Sequence, residues 1–376
     1  MYKHQYSRLA EIAFKLNHDL PESFQSKIFS EGVRELQNRS KENKDRKILL
    51  IGGAGYIGSV LSRYLLEYGY KVRCLDLLLY ENNECVIPYL MNDNYEFIFG
   101  DFTNDKIVSD ALIGITDVVI LGGLVGDPIT KRYPDISLKI NHFGMLNLID
   151  IFNNHCLNKV IFISTCSNYG IIANAKLADE TSELSPLSLY AKAKVTVEEY
   201  VSSLRGKIDY HPIILRFATA FGLSPRMRFD LTINQFVREL YFRDEVIVYD
   251  AETWRPYCHV KDFSLAVRRV LESPIELVDF EIFNAGGDKN NFTKNMVVEK
   301  VKEFIPYAKV RFQDKGPDPR DYRVSFKKIR ETLFFEPKYS ISDGIIEILN
   351  ALNQSIFNNV KIRKNFYENN QIIYAA

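Results

Sequence analysis

From residue 47 onward, short runs of apolar residues alternate with segments in which apolar residues recur three and four positions apart. The short runs predict strands at residues 47–52, 71–75, 95–99, 117–121, 159–164 and 211–216. The segments with the longer period predict helices at residues 56–68, 138–155 and 188–204. Because this alternation is typical of a doubly wound sheet of parallel strands, we expect an α/β fold.

The first 46 residues follow a different pattern. One helix is predicted from apolar residues at helical spacing, which are Leu9, Ile12, Ala13 and Leu16. Asp19 and Pro21 are typical of the start of a second helix. A charged linker follows at residues 40–47. We expect two short helices that dock on the main body or on a partner subunit.

The chain is therefore divided into four parts. Residues 1–46 are a helical extension with its linker, and residues 47–216 form the domain with the parallel sheet. The alternation loosens over residues 217–340, which predicts a smaller α/β lobe that exchanges some elements with the first domain. A helix and a tail follow at residues 341–376, and we expect the tail to be peripheral.

A glycine-rich turn follows the first predicted strand. Gly52, Gly55 and Gly58 lie between that strand and a helix, which is the context of a dinucleotide-binding fingerprint. Gly52 permits a tight turn, Gly55 leaves space for a pyrophosphate, and Gly58 lets helix and strand pack closely. Asp76 ends the second strand, where an acid binds a ribose 2′-hydroxyl and repels a 2′-phosphate. An ordinary glycine turn is the alternative, and Asp76 argues against it.

Hydroxyl groups cluster at Ser164, Thr165 and Ser167, where the strand at 159–164 ends. Tyr190 and Lys194 follow near the start of a helix, and their spacing places them on one face. A phenol with a pKa of about 10 is a poor base at neutral pH, but an adjacent ammonium group favours the phenolate. Such pairs are common on helices. The hypothesis of a catalytic pair therefore depends on the fingerprint and on the hydroxyl-rich turn.

Asp101 and the arginine-bearing loops of the second half can each be interpreted as part of a binding site or as purely structural. Asp101, after the third strand, could accept a hydrogen bond from an adenine amino group or could cap the next helix. Loops in the second half carry Arg226 and Arg228, Arg255, and Arg320. Guanidinium groups suit phosphate, so these loops could clamp a second anion, and solvated surface arginines are the alternative.

The composition restricts the class of protein. The chain has 376 residues, and 46% of them are hydrophobic, which is sufficient for a large core. Lys+Arg and Asp+Glu both number 48, so no global basic field favours nucleic acid or an anionic membrane as a partner. No apolar run approaches the roughly 18 residues of a membrane span, and no secretory signal is recognisable. The five cysteines are scattered without a metal-binding pattern, which indicates reduced thiols in the cytoplasm and no metal site.

Together these motifs resemble the extended short-chain dehydrogenase/reductases, in the group of NAD-dependent nucleotide-sugar epimerases and dehydratases. The resemblance extends from residue 47 to about residue 338. It depends on GGAGYIG at 52–58, Asp101, STCSNYG at 164–170, YAKAK at 190–194 and RPYCHVKD at 255–262. It implies a Rossmann-type NAD-binding domain with a smaller C-terminal lobe that closes over a nucleotide-diphosphate sugar. It also implies a homodimer with the helices at 138–155 and 188–204 in its interface.

The resemblance further implies roles for individual residues. The catalytic residues would be Thr165, Tyr190 and Lys194. The cofactor site would consist of Gly52, Gly55, Tyr56, Ile57, Gly58, Asp76, Asp101, Phe102, Leu121, Gly122, Gly123, Asn141, Tyr190 and Lys194. The substrate site would consist of Thr165, Thr219, Arg226, Arg228, Arg255 and Arg320.

The chain departs from the family pattern at several positions. Gly122 and Gly123 stand where the family often has two alanines, and Thr219 stands where it usually has asparagine. The dehydratase branch carries Asp-Glu directly after the catalytic threonine, but this chain has Cys166 and Ser167 there. No carboxylate is therefore available at these positions to protonate a leaving hydroxyl, which argues against sugar dehydration.

The first hypothesis is an NAD-dependent nucleotide-sugar C4 oxidoreductase, a 4-epimerase or a C4 dehydrogenase that acts through a 4-keto sugar. One alternative is an NADPH-dependent reductase of nucleotide 4-keto sugars, against which Asp76 argues. Another is a non-catalytic NAD-binding protein of the same fold, against which the intact set of Thr165, Tyr190 and Lys194 argues. The nucleotide base, the sugar and the direction of the reaction are left open.

Overall fold

The structure of the protein, a computed structural model, describes residues 7–16, 21–39, 45–172, 176–242, 245–314, 316 and 318–374. The strands are β1 (Lys47–Ile51), β2 (Lys71–Asp76), β3 (Tyr95–Phe99), β4 (Asp117–Ile120), β5 (Lys159–Thr165), β6 (Leu177–Ala178), β7 (His211–Phe217), β8 (Thr219–Phe221), β9 (Val246–Tyr249), β10 (Trp254–His259), β11 (Ile282–Ala285), β12 (Asn291–Thr293), β13 (Val310–Gln313) and β14 (Arg323–Val324).

The helices are α1 (Arg8–Leu16), α2 (Glu22–Arg39), α3 (Tyr56–Glu67), α4 (Asp105–Leu112), α5 (Asp127–Arg132), α6 (Pro134–Ser137), α7 (Met145–Phe152), α8 (Leu189–Ser203), α9 (Thr232–Tyr241), α10 (Val260–Glu272), α11 (Lys294–Lys302), α12 (Lys327–Leu333), α13 (Ile341–Asn353) and α14 (Lys364–Tyr367). A π-helical stretch, Leu138–Gly144, leads directly into α7, so the helix predicted at 138–155 is present in two parts.

Seven parallel strands form the main sheet, in the order β11-β7-β5-β4-β1-β2-β3. It contains all six predicted strands, and each predicted boundary lies within one residue of the observed boundary. The seventh strand, β11, pairs with β7 and comes from the part of the chain where the sequence predicts no strand. The expected doubly wound α/β fold is confirmed.

Helices cover both faces of the sheet. The apolar sequence of β1 shows why both faces have to be buried. Side chains alternate across a strand, and all four apolar residues of β1 are fully buried. Ile48 and Leu50 belong to the core under α3 and α10, whereas Leu49 and Ile51 belong to the core under α4, α7 and α8. An uninterrupted apolar run is therefore needed to bury this strand from both sides.

The smaller lobe has its own core. It contains a three-stranded sheet in the order β12-β10-β8 and the strand pair β13-β9, with α9, α11 and α13 around a second apolar cluster. By contrast, α10 follows β10 directly but packs against α3 of the main domain. The two parts therefore share elements and enclose the space between them.

The N-terminal helices pack on the main body, α1 against α12 and α2 against α10. The buried face of α1 consists of the residues that the periodicity predicts, Leu9, Ile12, Ala13 and Leu16. Pro21 directly precedes α2, whereas Asp19 lies outside the described residues. Arg46, at the end of the linker, forms an ion pair with the buried Asp117 of β4, so this part of the linker is anchored beside the start of β1.

No helix within the described ranges combines the length and the apolar character needed to cross a membrane.

Candidate functional site

A cavity of about 400 Å³ opens between the main sheet and the smaller lobe, at the carboxyl ends of the parallel strands. Ligands of open α/β sheets bind at this edge. The predicted site residues that line the cavity are Gly52, Gly55, Tyr56, Ile57, Gly58, Asp76, Asp101, Phe102, Leu121, Gly122, Gly123, Thr165, Tyr190, Lys194, Thr219, Arg226, Arg228, Arg255 and Arg320. Asn141 lies beside a smaller adjoining void that is also lined by Lys194.

The glycine turn has the geometry that the fingerprint predicts. Gly52 has a φ of +80°, and a Cβ atom there would lie 2.5 Å from the Cα atom of Gly122. A Cβ atom at Gly58 would lie 2.6 Å from the Cα atom of Gly53, so only glycine lets α3 approach the turn. A Cβ atom at Gly55 would instead meet open space apart from one carbonyl oxygen at 3.4 Å. This opening faces the N-terminus of α3, whose dipole favours an anion.

Asp76 is held in place above this turn. One carboxylate oxygen accepts a hydrogen bond from the backbone N–H of Ala54 at 2.9 Å, and the other accepts from Leu78 at 2.8 Å. Burial raises the pKa of Asp76, although both hydrogen bonds and the charge of Arg226 act in the opposite direction. The carboxylate is therefore fixed at the end of β2, where the fingerprint requires a ribose-binding acid.

Asp101 does not cap the following helix. Asn104 caps α4, since its side chain accepts a hydrogen bond from Ile107. One carboxylate oxygen of Asp101 accepts from the backbone N–H of Thr103 at 2.8 Å, and the other accepts from the hydroxyl of Tyr374 at 2.6 Å. The capping interpretation is therefore wrong, and Asp101 lines the cavity, where contact with an adenine stays a prediction.

Asn141 supports the loop after β4. Its side-chain amide donates to the carbonyl of Leu124 at 2.9 Å and accepts from the N–H of the same residue at 2.8 Å. Gly123 has a φ of +131°, and a Cβ atom there would lie 2.8 Å from the side-chain oxygen of Asn141. This close approach explains why the chain has glycine at position 123. Asn141 thus positions the wall of the cavity.

The three predicted catalytic residues converge on the cavity from two elements. Thr165 is the last residue of β5, and its hydroxyl oxygen accepts a hydrogen bond from the N–H of Ser167 at 3.1 Å. Tyr190 and Lys194 lie one turn apart on α8. The ammonium nitrogen of Lys194 donates to the carbonyl of Ile163 at 2.6 Å and lies 5.9 Å from the centroid of the Tyr190 ring.

The electrostatics of this pair differ from the expectation. Burial raises the pKa of Tyr190, and the cations that oppose it are Arg228 and Arg320. Burial also lowers the pKa of Lys194 to about 7, although Glu198 acts in the opposite direction. The protein groups alone therefore do not favour the expected phenolate. The physical reason is that the Lys194 ammonium points to a backbone carbonyl and is itself poorly solvated.

A buried ion pair that the sequence did not predict lies next to Lys194 and the hydroxyl-rich turn. Glu198 and Arg216 are each 3% exposed, and the Nη2 atom of Arg216 lies 2.6 Å from a Glu198 oxygen. Glu198 also accepts hydrogen bonds from Ser164 and from Asn168, which belong to the hydroxyl-rich turn. Glu198 follows Lys194 by four residues, so its place on the same helical face was a usable sequence signal.

The arginines of the second half divide into two groups. Arg320 forms ion pairs with Asp318 at 2.7 Å and with Asp127 at 3.0 Å, and it donates to the Ser167 hydroxyl at 3.0 Å. Arg255 lies 3.1 Å from Asp318. Although burial opposes it, hydrogen bonds and charge from Arg320 and Arg255 lower the pKa of Asp318. This group lies beside the hydroxyl-rich turn after β5.

The second group lies at the dinucleotide end of the cavity. The guanidinium carbon of Arg226 is 4.2 Å from the centroid of the Tyr80 ring, and its charge acts on Asp76. Arg228 forms a 2.6 Å ion pair with Asp230. The placement of Arg226 therefore favours contact with a cofactor more than with a second ligand.

The C-terminal tail is not peripheral. Asn369 and Tyr374 line the same cavity, and the side-chain amide of Asn369 donates to the carbonyl of Val125 at 2.9 Å. Ile372 is 6% exposed and packs against the loop after β4. The expectation that this tail is peripheral is therefore wrong. The sequence did not predict its contacts, because polar contacts between residues far apart in the chain leave no periodic pattern.

Several buried polar atoms in the cavity wall lack a partner among the described residues. They are the Tyr80 hydroxyl, Oδ1 of Asp127, Nε of Arg226 and Oδ1 of Asn369. Buried polar groups are nearly always hydrogen-bonded, so these atoms indicate a polar ligand. Together with the open approach to Gly55 and the fixed Asp76, they fit a dinucleotide.

Comparison with known proteins agrees with this geometry. Residues 48–286 match the profile of the NAD dependent epimerase/dehydratase family. The chain is 26% identical to a UDP-glucose 4-epimerase of Corynebacterium glutamicum, over 80% of this chain and 94% of that protein. It is also 26% identical to a dTDP-glucose 4,6-dehydratase of Streptomyces niveus, over 80% of this chain and 91% of that protein.

A solved structure confirms the fold. The crystal structure of a UDP-glucuronic acid 4-epimerase from Bacillus cereus, in complex with UDP-glucuronic acid and NAD, superposes with a TM-score of 0.75. The match covers 82% of this chain and 99% of that chain at 23% identity.

Proposed function

Because this chain belongs to the NAD-dependent epimerase/dehydratase family, we propose that it is a nucleotide-sugar C4 oxidoreductase, acting as a 4-epimerase or as a C4 dehydrogenase. The observation that carries the proposal is the convergence of Thr165, Tyr190 and Lys194 on the cavity that the glycine fingerprint also lines. A fold of this kind serves many functions, and these side chains are what distinguish this one.

NAD is the cofactor that the site fits. Gly55 and the N-terminus of α3 would receive the pyrophosphate, Asp76 the adenosine ribose, and Asp101 with Phe102 the adenine. Bound there, NAD⁺ would supply an acceptor for the hydride of the sugar C4 atom, so that a 4-keto sugar would form and the hydride could return to it. The Asp76 carboxylate would repel a 2′-phosphate, which argues against NADPH and hence against the reductase alternative.

The protein residues would handle the proton. Tyr190 and Thr165 both line the cavity; Tyr190 would accept the proton of the C4 hydroxyl, and Thr165 would hydrogen-bond the same oxygen. Because burial raises the pKa of Tyr190, its phenolate needs positive charge beside it. Arg228 and Arg320 supply part of this charge, and the positive nicotinamide ring of bound NAD⁺ would add to it.

A nucleotide-diphosphate sugar is the proposed substrate. Arg255 and Arg320 lie beside the hydroxyl-rich turn, and guanidinium groups bind diphosphates by paired hydrogen bonds. Both arginines are engaged with Asp318, so the diphosphate would have to compete with this carboxylate for them. Relatives of this chain act on UDP-glucose and dTDP-glucose.

We further propose a cytoplasmic homodimer. The helical segments at 138–155 and 188–204 expose large apolar side chains, since Leu138, Phe143 and Leu189 are 52%, 60% and 46% exposed. Contact between two copies would cover them. The five cysteines are free thiols, four of them buried, as expected in a reducing compartment.

The test is turnover of nucleotide sugars by a variant that lacks the proton acceptor. Purified protein with NAD⁺ is incubated with UDP-, GDP-, CDP- and dTDP-hexoses or heptoses, and the products are identified by mass and by sugar analysis. Tyr190→Phe keeps the ring and removes the hydroxyl, so we expect turnover to fall about 100-fold or more with NAD still bound.

The matched control is Tyr200→Phe, which removes a hydroxyl on the same helix that bonds to Asp150 outside the cavity. We expect this variant to keep normal turnover. Near-normal turnover of Tyr190→Phe would remove Tyr190 from the mechanism, and no conversion of any nucleotide sugar would contradict the proposed function.

A further inference from the structure

Residues 368–374, here called the strap, run from the smaller lobe to the main domain across the cavity. At the lobe end the strap continues from α14, where Phe366 and Tyr367 are buried and the Tyr367 carbonyl accepts from the N–H of Phe229 at 2.8 Å. At the other end Ile372 is buried in a small apolar cluster with Leu124, Ile129 and Ile140. The strap is therefore anchored in both parts of the protein.

Polar contacts fix the strap between these anchors. The Asn369 side chain donates to the carbonyl of Val125 at 2.9 Å, and its backbone N–H donates to the Asp230 carboxylate at 3.2 Å. Arg132 donates to the carbonyl of Asn370 at 3.1 Å. The strap thus bonds to the loop after β4, to α5 and to the loop that carries Arg228 and Asp230.

One strap side chain, Tyr374, contacts a residue that the dinucleotide would use, and another, Asn369, lines the cavity. The Tyr374 hydroxyl donates to Asp101 at 2.6 Å, and it lies 3.3 Å from the Thr103 hydroxyl. Asp101 is the residue proposed to hold the adenine. Asn369 is 5% exposed and lines the cavity, and its Oδ1 atom has no partner among the described residues. A buried, unpaired acceptor of this kind requires a donor, and the cavity is where a ligand can provide it.

We propose that the strap is part of the dinucleotide site: Asn369 and Tyr374 bind the cofactor, and the strap must open for the cofactor to exchange. Asn369 supplies an acceptor for a hydroxyl or amide group of the dinucleotide. Tyr374 supplies an aromatic face and a hydroxyl at the adenine end. The inference rests on the proposed NAD dependence. A strap that has to open would slow the release of the cofactor, so a hydride taken from the sugar would stay in the site until it is returned.

The experiment measures the dissociation rate of NADH from the full chain by stopped-flow displacement with excess NAD⁺. Ile372 and Ile373 are neighbours on the strap, but they are 6% and 90% exposed. Ile372→Ala should release NADH about tenfold faster, since loss of a buried contact acts mainly on the dissociation rate, whereas Ile373→Ala should release it at the normal rate. Tyr374→Phe, which deletes one hydroxyl, should release it several-fold faster.

A chain that ends after Glu368 lacks the strap contacts and should show the largest increase in the dissociation rate. Equal rates in this chain, in Ile372→Ala and in the unaltered protein would overturn the proposal. Tighter binding by the shortened chain would also overturn it, because Tyr374 would then compete with the adenine for Asp101. If the unaltered chain does not bind NADH, the cofactor assignment itself is wrong. This result differs from equal dissociation rates in the variants, which would overturn only the role of the strap.

Discussion

Lys194 is a buried amine, and its burial predicts a stability that depends on pH. The residue is 8% exposed, and burial lowers its pKa from 10.5 to about 7, with Glu198 opposing the shift. Below about pH 7 both the folded and the unfolded chain hold the proton, so the folded chain bears the full cost of the buried cation. Between about pH 7 and pH 10.5 only the unfolded chain holds it. The free energy of unfolding therefore rises with pH in this window.

The size of this change in the free energy of unfolding follows from the shift in the pKa of Lys194. One pKa unit corresponds to about 1.4 kcal/mol, so the whole window represents roughly 5 kcal/mol. The amine is half titrated at pH 7, and the gain between pH 7 and pH 9 is therefore about 2 kcal/mol. Lys194→Met removes the amine and with it this contribution. The stability of the variant relative to the unaltered protein should thus fall by about 2 kcal/mol from pH 7 to pH 9.

The assay is urea unfolding of nucleotide-free protein at pH 7 and pH 9, for the unaltered chain and two variants. Lys192→Met is the matched control, because Lys192 is exposed on the same helix and should keep the normal pH dependence. The thiols of the unfolded chain also titrate in this range, but they are common to all three proteins and cancel in the comparison. If Lys194→Met and Lys192→Met show the same pH dependence, Lys194 does not carry a lowered pKa, and the reasoning is refuted.

Two other predictions concern the cofactor and the assembly. Asp76→Ala should weaken NAD⁺ binding by about 1–3 kcal/mol in calorimetry, because a charged hydrogen-bond acceptor is lost, and the unaltered protein should bind NADP⁺ more weakly than NAD⁺. Equal or tighter binding of NADP⁺ would contradict this role of Asp76. Light scattering should give the mass of a homodimer, whereas a clean monomer at micromolar concentration would contradict the assembly.

The sequence predicts the central sheet well because burial on both faces requires uninterrupted apolar runs. The four apolar residues of β1 show this pattern, and the predicted strands agree with the structure to within one residue. Among the described residues, β11 is the strand of the main sheet that escaped prediction. It is four residues long and lies among elements of the smaller lobe, so its partner β7 is far away in sequence.

The sequence predicts the site less completely, because charged residues are ambiguous without a structure. Arg46 lies in the predicted charged linker but pairs with Asp117, and Glu198, for which the sequence predicts no role, pairs with Arg216 inside the protein. Each interaction joins residues that are distant in the sequence, and no local pattern records the partner. The same reason explains the missed contact between Tyr374 and Asp101.

The reaction class gives the last prediction. Dehydration of a sugar needs an acid beside the departing hydroxyl, and the structure shows what replaces it after Thr165. The Cys166 thiol is buried, and its sulfur contacts the carbonyl of Arg216 at 3.2 Å. Burial raises the pKa of this thiol, so it is a weak proton donor. Ser167 lines the cavity but is bonded to Arg320, and a serine hydroxyl is a far weaker acid than a carboxyl group.

We therefore expect the sugar product to retain all its oxygen atoms. Incubation with nucleotide hexoses should give a product of unchanged mass if the hydride returns, or a product lighter by two hydrogens if it stays on the cofactor. A product lighter by one water would show that elimination proceeds. Asp127 is the carboxylate to examine in that case, since it lines the cavity with one unpaired buried oxygen. If the unaltered enzyme eliminates water from the sugar and Asp127→Asn does not, Asp127 is the acid. That result would refute the assignment as an epimerase or dehydrogenase.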